Sequence, residues 1–187
     1  MLKFAITGNI ASGKSLVEDI ISEYYPVYDT DKIAHDILNN ITEFYGENVF
    51  TDGKIDRKKL GDLIFSNPKM KKNLENIVHP QIKDRLEEIF IQNKNEKFVF
   101  VSVPLLYETD FYKIFDKVIF VSADEDIRLK RLMKRNNFTK DEAKIRIKAQ
   151  MPETEKIKKA DYIIKNNSTI SELEQQVNIF LSNLKHL

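Results

Sequence analysis

The chain has 187 residues, 42% of them hydrophobic and 32% charged, with a formal net charge of +1. That length suits one sizeable core with a subdomain inserted in it, and the interspersed charges argue against a nucleic-acid partner and for a small substrate. Cysteine is absent, no apolar run approaches membrane-spanning length, and the N-terminus lacks a signal-peptide layout, which fits a cytoplasmic protein without disulfides, thiolate metal sites or a membrane partner.

The first apolar run, residues 3–7, predicts a buried strand. It leads straight into Gly8-Asn9-Ile10-Ala11-Ser12-Gly13-Lys14-Ser15, a complete G-x-x-x-x-G-K-[ST] phosphate-binding loop, and a helical pattern over 14–24 follows. Backbone N–H groups of such a loop point at phosphate oxygens, reinforced by the positive end of the helix. Lys14 reaches the β- and γ-phosphates, and the Ser15 hydroxyl is a ligand for Mg²⁺. The segment predicts binding of a nucleoside triphosphate.

A weak strand at 26–28 leads into Asp29-Thr30-Asp31. In a parallel sheet the end of that strand lies beside the phosphate loop. A carboxylate there orders Mg²⁺-bound water or accepts a proton from an attacking hydroxyl. Asp31 also stands where a helix starting Lys32-Ile33-Ala34 would take its cap. Both roles can hold at once, and the catalytic one is favoured.

From 31 to about 95 no buried strand is expected. Helical segments broken at Gly46, Asp52-Gly53, Asn67-Pro68 and His79-Pro80 fill this stretch. It is far more chain than one crossover needs. The prediction is an inserted helical domain over the carboxyl ends of the strands, where open α/β sheets bind ligands.

Asn93-Lys94-Asn95-Glu96 superficially resembles a guanine-reading motif, but it precedes a strand and ends in Glu, so it reads as a polar turn. Strands are predicted again over 97–103, 117–122 and 162–165, with helices over 124–135 and 168–184. Ser168 or Thr169 is expected near the last helix's N-cap. The alternation predicts an α/β fold with a doubly wound, parallel, five-stranded sheet. The third strand runs into Pro104 with no acidic residue in the usual Walker B position, so the carboxylate must come from elsewhere. No glycine has Asp three residues earlier, which weakens a nucleotide-switch reading.

Arginine is scarce: four of only six fall at Arg128, Arg131, Arg135 and Arg146. Its planar fork suits phosphate. Arg128, Arg131 and Arg135 are spaced to share one helix face, although Arg128 and Arg146 have an equal claim to ion pairs with nearby acids. The charged stretch 136–159 reads either as a solvated helical hairpin or as a lid.

Taken together, these segments resemble the dephospho-coenzyme A kinase family. The resemblance is carried by Gly8 to Ser15, by Tyr28-Asp29-Thr30-Asp31-Lys32-Ile33-Ala34, and by Asp52-Gly53-Lys54-Ile55-Asp56-Arg57 with Leu60 and Phe65. It continues through Leu74-Glu75, His79-Pro80, Ile82 and Val103-Pro104-Leu105-Leu106-Tyr107-Glu108. Arg131, Arg135, Arg146, Gln150, Lys156, Ala160-Asp161 and Asn166 complete it. Two positions depart from the family pattern: Arg128, where Gln is common, and Ser168, where Gly is common.

The resemblance implies transfer of the γ-phosphoryl of ATP, with Mg²⁺, to the ribose 3′-hydroxyl of dephospho-coenzyme A. It implies catalytic roles for Asp31, Lys14 and Arg135. Gly8, Ala11, Ser12, Gly13, Lys14, Ser15, Leu16, Arg131 and Asn166 would bind ATP, with Asn166 near adenine. Asp29, Asp31, His79, Pro104, Leu105 and Glu108 would serve the acceptor, and Ser15 and Asp31 the metal. Alternatively, His79 serves only its own helix and Glu108 only fixes a neighbouring basic group. The expected organisation is a nucleotide-binding core of 1–30 and 96–187, with a lid near 136–159, and an acceptor-binding insert of 31–95. A nucleoside-monophosphate-type kinase and a non-catalytic ATP-binding switch are the rival readings.

Overall fold

The computed structural model describes residues 1–40, 49–51, 54–56, 59–61 and 67–184. Gly46, Asp52, Gly53, Arg57 and Phe65, which the sequence reading uses, lie outside the described residues.

Strand β1 (Leu2–Gly8) owes its central place to composition, since Phe4, Ala5 and Ile6 are wholly buried and only a strand covered on both faces accepts such a run. It pairs in parallel with β5 (Phe98–Ser102) on one side and β6 (Lys117–Ser122) on the other. Outside these lie β2 (Val27–Asp29) and β7 (Tyr162–Lys165), giving the five-stranded order β2-β5-β1-β6-β7. All its strands are parallel.

Alternate residues set the core. Phe4 and Ile6, Phe98 and Phe100, and Ile119 and Val121 belong to one buried cluster, with the Phe4 and Phe100 rings stacked at 4.9 Å. Helices α1 (Lys14–Ser22) and α7 (Ile170–Leu184) close it with Val17, Ile21, Leu173, Val177 and Phe180. Each such side chain contributes about 2 kcal/mol by leaving water. Thr169 caps α7, accepting from the Glu172 N–H at 3.3 Å.

The chain divides into two compact units, Met1–Tyr28 with Asn95–Leu187, and Asp29–Lys94. The second holds α2 (Thr30–Asn40), the two-residue strands β3 (Phe50–Thr51) and β4 (Lys54–Ile55), which pair antiparallel, and α3 (Pro68–Gln92). Helix α2 packs against α3.

One expectation is corrected here. His79-Pro80 does not break a helix, because α3 runs through Pro80 for 25 residues. An interior proline costs about 3 kcal/mol. The apolar face of Leu74, Val78, Ile82, Leu86 and Ile89 outweighs that local loss. Asn67-Pro68 does mark a boundary: Asn67 caps α3 by accepting from the Met70 N–H at 3.1 Å. The β3–β4 pair is only two residues long on each side, with Thr51 exposed, and is no buried strand of the sheet.

The last helices of the first unit are α4 (Glu125–Asn136), α5 (Lys140–Lys148) and α6 (Glu153–Ile157). Asn137 ends α4 in the left-handed region at φ 52°. A reciprocal capping box between Thr139 and Glu142 then starts α5. The stretch is not a fully solvated hairpin: Ala143 and Ile147 are buried with Leu129 and Leu132, against Ile10 and Ala11.

Candidate active site

The phosphate loop joins β1 to α1. Gly8 lies opposite Val121 in the sheet register, and a Cβ there would stand 2.7 Å from the Val121 carbonyl oxygen. Ala11 and Gly13 both take positive φ, at 62° and 90°. That curls the loop back, with the Ser12 N–H donating to the Asn9 carbonyl at 3.0 Å. No described side chain caps α1, so its first N–H groups point into the loop without a side-chain acceptor. That is the arrangement a phosphate requires.

The loop is braced from three distant segments. The Ser12 carbonyl accepts from Asn166 Nδ2 at 2.8 Å and from Arg131 Nη1 at 3.4 Å, while Arg131 Nη2 donates to Asn166 Oδ1 at 3.1 Å. Asn166 follows β7, Arg131 sits on α4, and β6 and β7 are neighbours. On another flank, Gln150 Oε1 accepts from the Ile10 N–H at 2.7 Å, and Asn9 Nδ2 donates to the Met151 carbonyl at 3.2 Å. Gln150 belongs to the family pattern, but the sequence assigned it no role.

Lys14 Nζ donates to Glu18 Oε1 at 2.6 Å and to Ser102 Oγ at 2.5 Å. Ser15 and Leu16 are exposed beside it at the start of α1. Sequence reasoning missed Glu18 and Ser102. The i,i+4 spacing of Lys14 and Glu18 was a usable signal for the first. Ser102 becomes visible only through the register, which sets it level with Ile6 on β1.

The clustered arginines diverge, and of the two readings open for Arg128 the structure shows the ion pair with a nearby acid. Arg128 is 3% exposed, with Nε donating to the Ala123 carbonyl at 2.9 Å and Nη2 3.5 Å from Glu153 Oε2. Glu153 also accepts from the Ser122 hydroxyl. Arg131 meets the phosphate loop, whereas Arg135 is exposed and donates from Nε to Asn136 Oδ1 at 2.9 Å. Arg146 lies 3.9 Å over the Phe138 ring. Ser168 needs no glycine, since its φ is not positive, and its hydroxyl donates to Glu172.

After β5 the chain runs through buried Val103 and Leu106 and exposed Leu105. The Pro104 carbonyl accepts from the Thr7 hydroxyl at 3.4 Å. Glu108 Oε1 stands 2.7 Å from Nζ of Lys156, a side chain with no exposure at all. Tyr107 is buried, and among the described residues its hydroxyl has no partner; burial, with the Asp161 charge adding, pushes its pKa up to about 12. Asp161 accepts from the Val118 N–H and from Lys117 Nζ, at 2.8 and 2.9 Å, and so ties the chain before β7 to β6.

In the second unit, Asp29 Oδ1 accepts from the Asp31 N–H at 2.8 Å. The carboxylate at the start of α2 is therefore Asp29, and Asp31 is exposed in the first turn. His79 lies half-buried within α3. Among the described residues no three His, Cys, Asp or Glu side chains converge as a metal cage. Among them also, no helix is long and apolar enough to cross a membrane.

A phosphate loop after the central strand of this sheet, with a lysine, a hydroxyl and an uncapped helix, defines a phosphate-loop nucleotide-binding protein. A shikimate kinase from Bacteroides thetaiotaomicron shares the fold, with TM-score 0.62 at 16% identity over 98% of both chains. The family model described as dephospho-CoA kinase matches residues 2–172. Dephospho-CoA kinases of Bacillus cereus and Geobacillus kaustophilus are 39% and 40% identical, covering 95% and 94% of this chain and 94% and 93% of theirs. The solved dephospho-CoA kinase from Campylobacter jejuni is 36% identical with TM-score 0.75, covering 97% of this chain and 96% of its own. The chain belongs to the dephospho-CoA kinase family.

Proposed function

We propose that this chain transfers the γ-phosphoryl of ATP to the ribose 3′-hydroxyl of dephospho-coenzyme A, giving coenzyme A and ADP, the final step of coenzyme A biosynthesis. The observation that carries the reading is the family match over 2–172, which takes in the phosphate loop, Asp31, Arg131, Arg135 and Asn166. The reading puts the protein in the cytoplasm, where ATP is available.

The loop N–H groups and Lys14 take the phosphates, and Arg131 with Asn166 holds the loop and borders the adenine. Arg135 is assigned to charge on the transferring group, where such a clamp acts more strongly in the transition state than in the ground state. Asp31 is assigned to the acceptor hydroxyl, as its base or orienting carboxylate. Ser15, with Asp31, is assigned to Mg²⁺, which when bound neutralises phosphate charge. Leu105 and Pro104 are assigned to acceptor contacts, with His79 and Asp29 as further candidates. Glu108 shapes that loop through Lys156.

A coupled ADP-release assay with Mg-ATP tests this, comparing dephospho-coenzyme A, AMP, adenosine and no acceptor, beside Asp31→Asn. Release that requires dephospho-coenzyme A and collapses in the variant is the expected result. Release that follows AMP would overturn the acceptor, and ATP binding without any transfer would favour a switch.

A further inference from the structure

The phosphate-loop lysine is already engaged by a carboxylate of its own helix. Lys14 and Glu18 meet at 2.6 Å with side chains only 17% and 14% exposed. The solvated i,i+4 pair Lys71–Glu75, by contrast, stands at 3.8 Å with side chains 60% and 44% exposed. Glu18 is three residues beyond Ser15 and four beyond Lys14, so its carboxylate shares a helix face with both. The neighbouring strand β5 ends in Ser102, a hydroxyl that also binds Lys14. The acidic side chain that β5 does not provide is thus provided by α1.

Charge balance limits what this carboxylate can do. Lys14 cannot give its full charge to a triphosphate while Glu18 holds it. Once Lys14 turns to the phosphates, the Glu18 carboxylate, only 14% exposed, is left without its counter-charge. Ser102 is neutral and cannot replace the ammonium. Ser15, on the same face, is the hydroxyl assigned to the divalent cation.

We infer that Glu18 exchanges partners: it is the counter-ion of Lys14 in the nucleotide-free protein, and the protein's counter-charge to the divalent cation once a triphosphate is bound. The inference rests on the reading that this loop binds a metal-bound triphosphate. It assigns a nucleotide-site role to a residue outside the phosphate-loop signature.

The test measures binding of a non-hydrolysable ATP analogue to the full chain, with EDTA and with Mn²⁺, for wild type, Glu18→Gln and Ser102→Ala. Glu18→Gln should bind the metal-free analogue more tightly, because Lys14 is released. Its gain in affinity on adding Mn²⁺ should fall about tenfold or more. Ser102→Ala removes the other Lys14 partner without touching charge, and should keep the wild-type gain. An undiminished Mn²⁺ gain in Glu18→Gln, or an equal loss in Ser102→Ala, would overturn the inference. If wild type binds no analogue under either condition, the triphosphate reading itself fails. Should Glu18→Gln not fold, the shift of the wild-type Glu18 carboxyl ¹³C signal on adding diamagnetic Mg²⁺ to the analogue complex decides: a shift at Glu18 supports the cation role, and an unmoved signal counts against it.

Discussion

Lys156, on α6, is wholly buried and its ammonium lies 2.7 Å from Oε1 of Glu108, which is 26% exposed. The pair meets at ionic distance without hydrogen-bond alignment. Removing either partner therefore has unequal consequences. Glu108→Gln strands a buried cation and should cost about 3 kcal/mol in urea unfolding. Lys156→Met leaves a carboxylate that water can reach, so it should cost distinctly less. The double variant should be more stable than Glu108→Gln alone. Equal losses in the two single variants would count against the difference in burial as the deciding factor.

Gly13 is required twice over. Its φ is 90°, and an added Cβ would stand 1.9 Å from Asn166 Nδ2. Gly13→Ala should cost at least about 1–2 kcal/mol from backbone conformation alone, together with a measurable loss of nucleotide affinity in calorimetry. Adding Asn166→Ala should recover the steric part but not the backbone part. Full recovery would show that φ is unimportant there.

Tyr107 makes stability depend on alkaline pH. Its folded-state pKa is raised to about 12 from 10.0, so between those values the unfolded chain releases a proton that the folded chain keeps. Stability should fall as pH rises through this window. Tyr107→Phe should show a shallower fall, followed by urea midpoints from pH 9 to 12. At neutral pH the change should be nearly neutral, because the lost hydroxyl has no partner among the described residues.

Thr139 starts α5, which carries Ala143 and Ile147 into the cluster beneath Ile10 and Ala11. Thr139→Ala should cost about 1 kcal/mol. Hydrogen bonds from Thr139 hold the Glu142 pKa below the usual carboxylate range. The contribution of Glu142 is thus present at neutral pH and is lost as pH falls through that lowered value. Urea unfolding of wild type and variant at neutral and acidic pH checks this; a gap that does not narrow in acid would count against the carboxylate's part in the cap.

The phosphate loop was legible in the sequence because it is contiguous: its two glycines, lysine and serine act through local backbone geometry. The strands were legible because a sheet buried on both faces demands apolar runs such as Phe98–Ser102. The prolines were only partly legible. Pro68 sits where a helix starts, but Pro80 lies inside α3, and a local rule cannot weigh one proline against a long buried face. The charged stretch after Asn136 supports two readings by sequence alone, since Lys156 resembles any solvated lysine until its partner is known.

What the sequence determined by itself was the local chemistry: a loop that accepts phosphate and the alternating pattern that builds a parallel sheet around it. Tertiary structure alone decided the pairings. Ser12, Arg131 and Asn166 are joined at one carbonyl, Arg128 turns away to Glu153, and Glu108 is bound to Lys156. These pairs lie far apart along the chain. Strand order and register bring them together, and burial then makes each charge depend on the partner it meets.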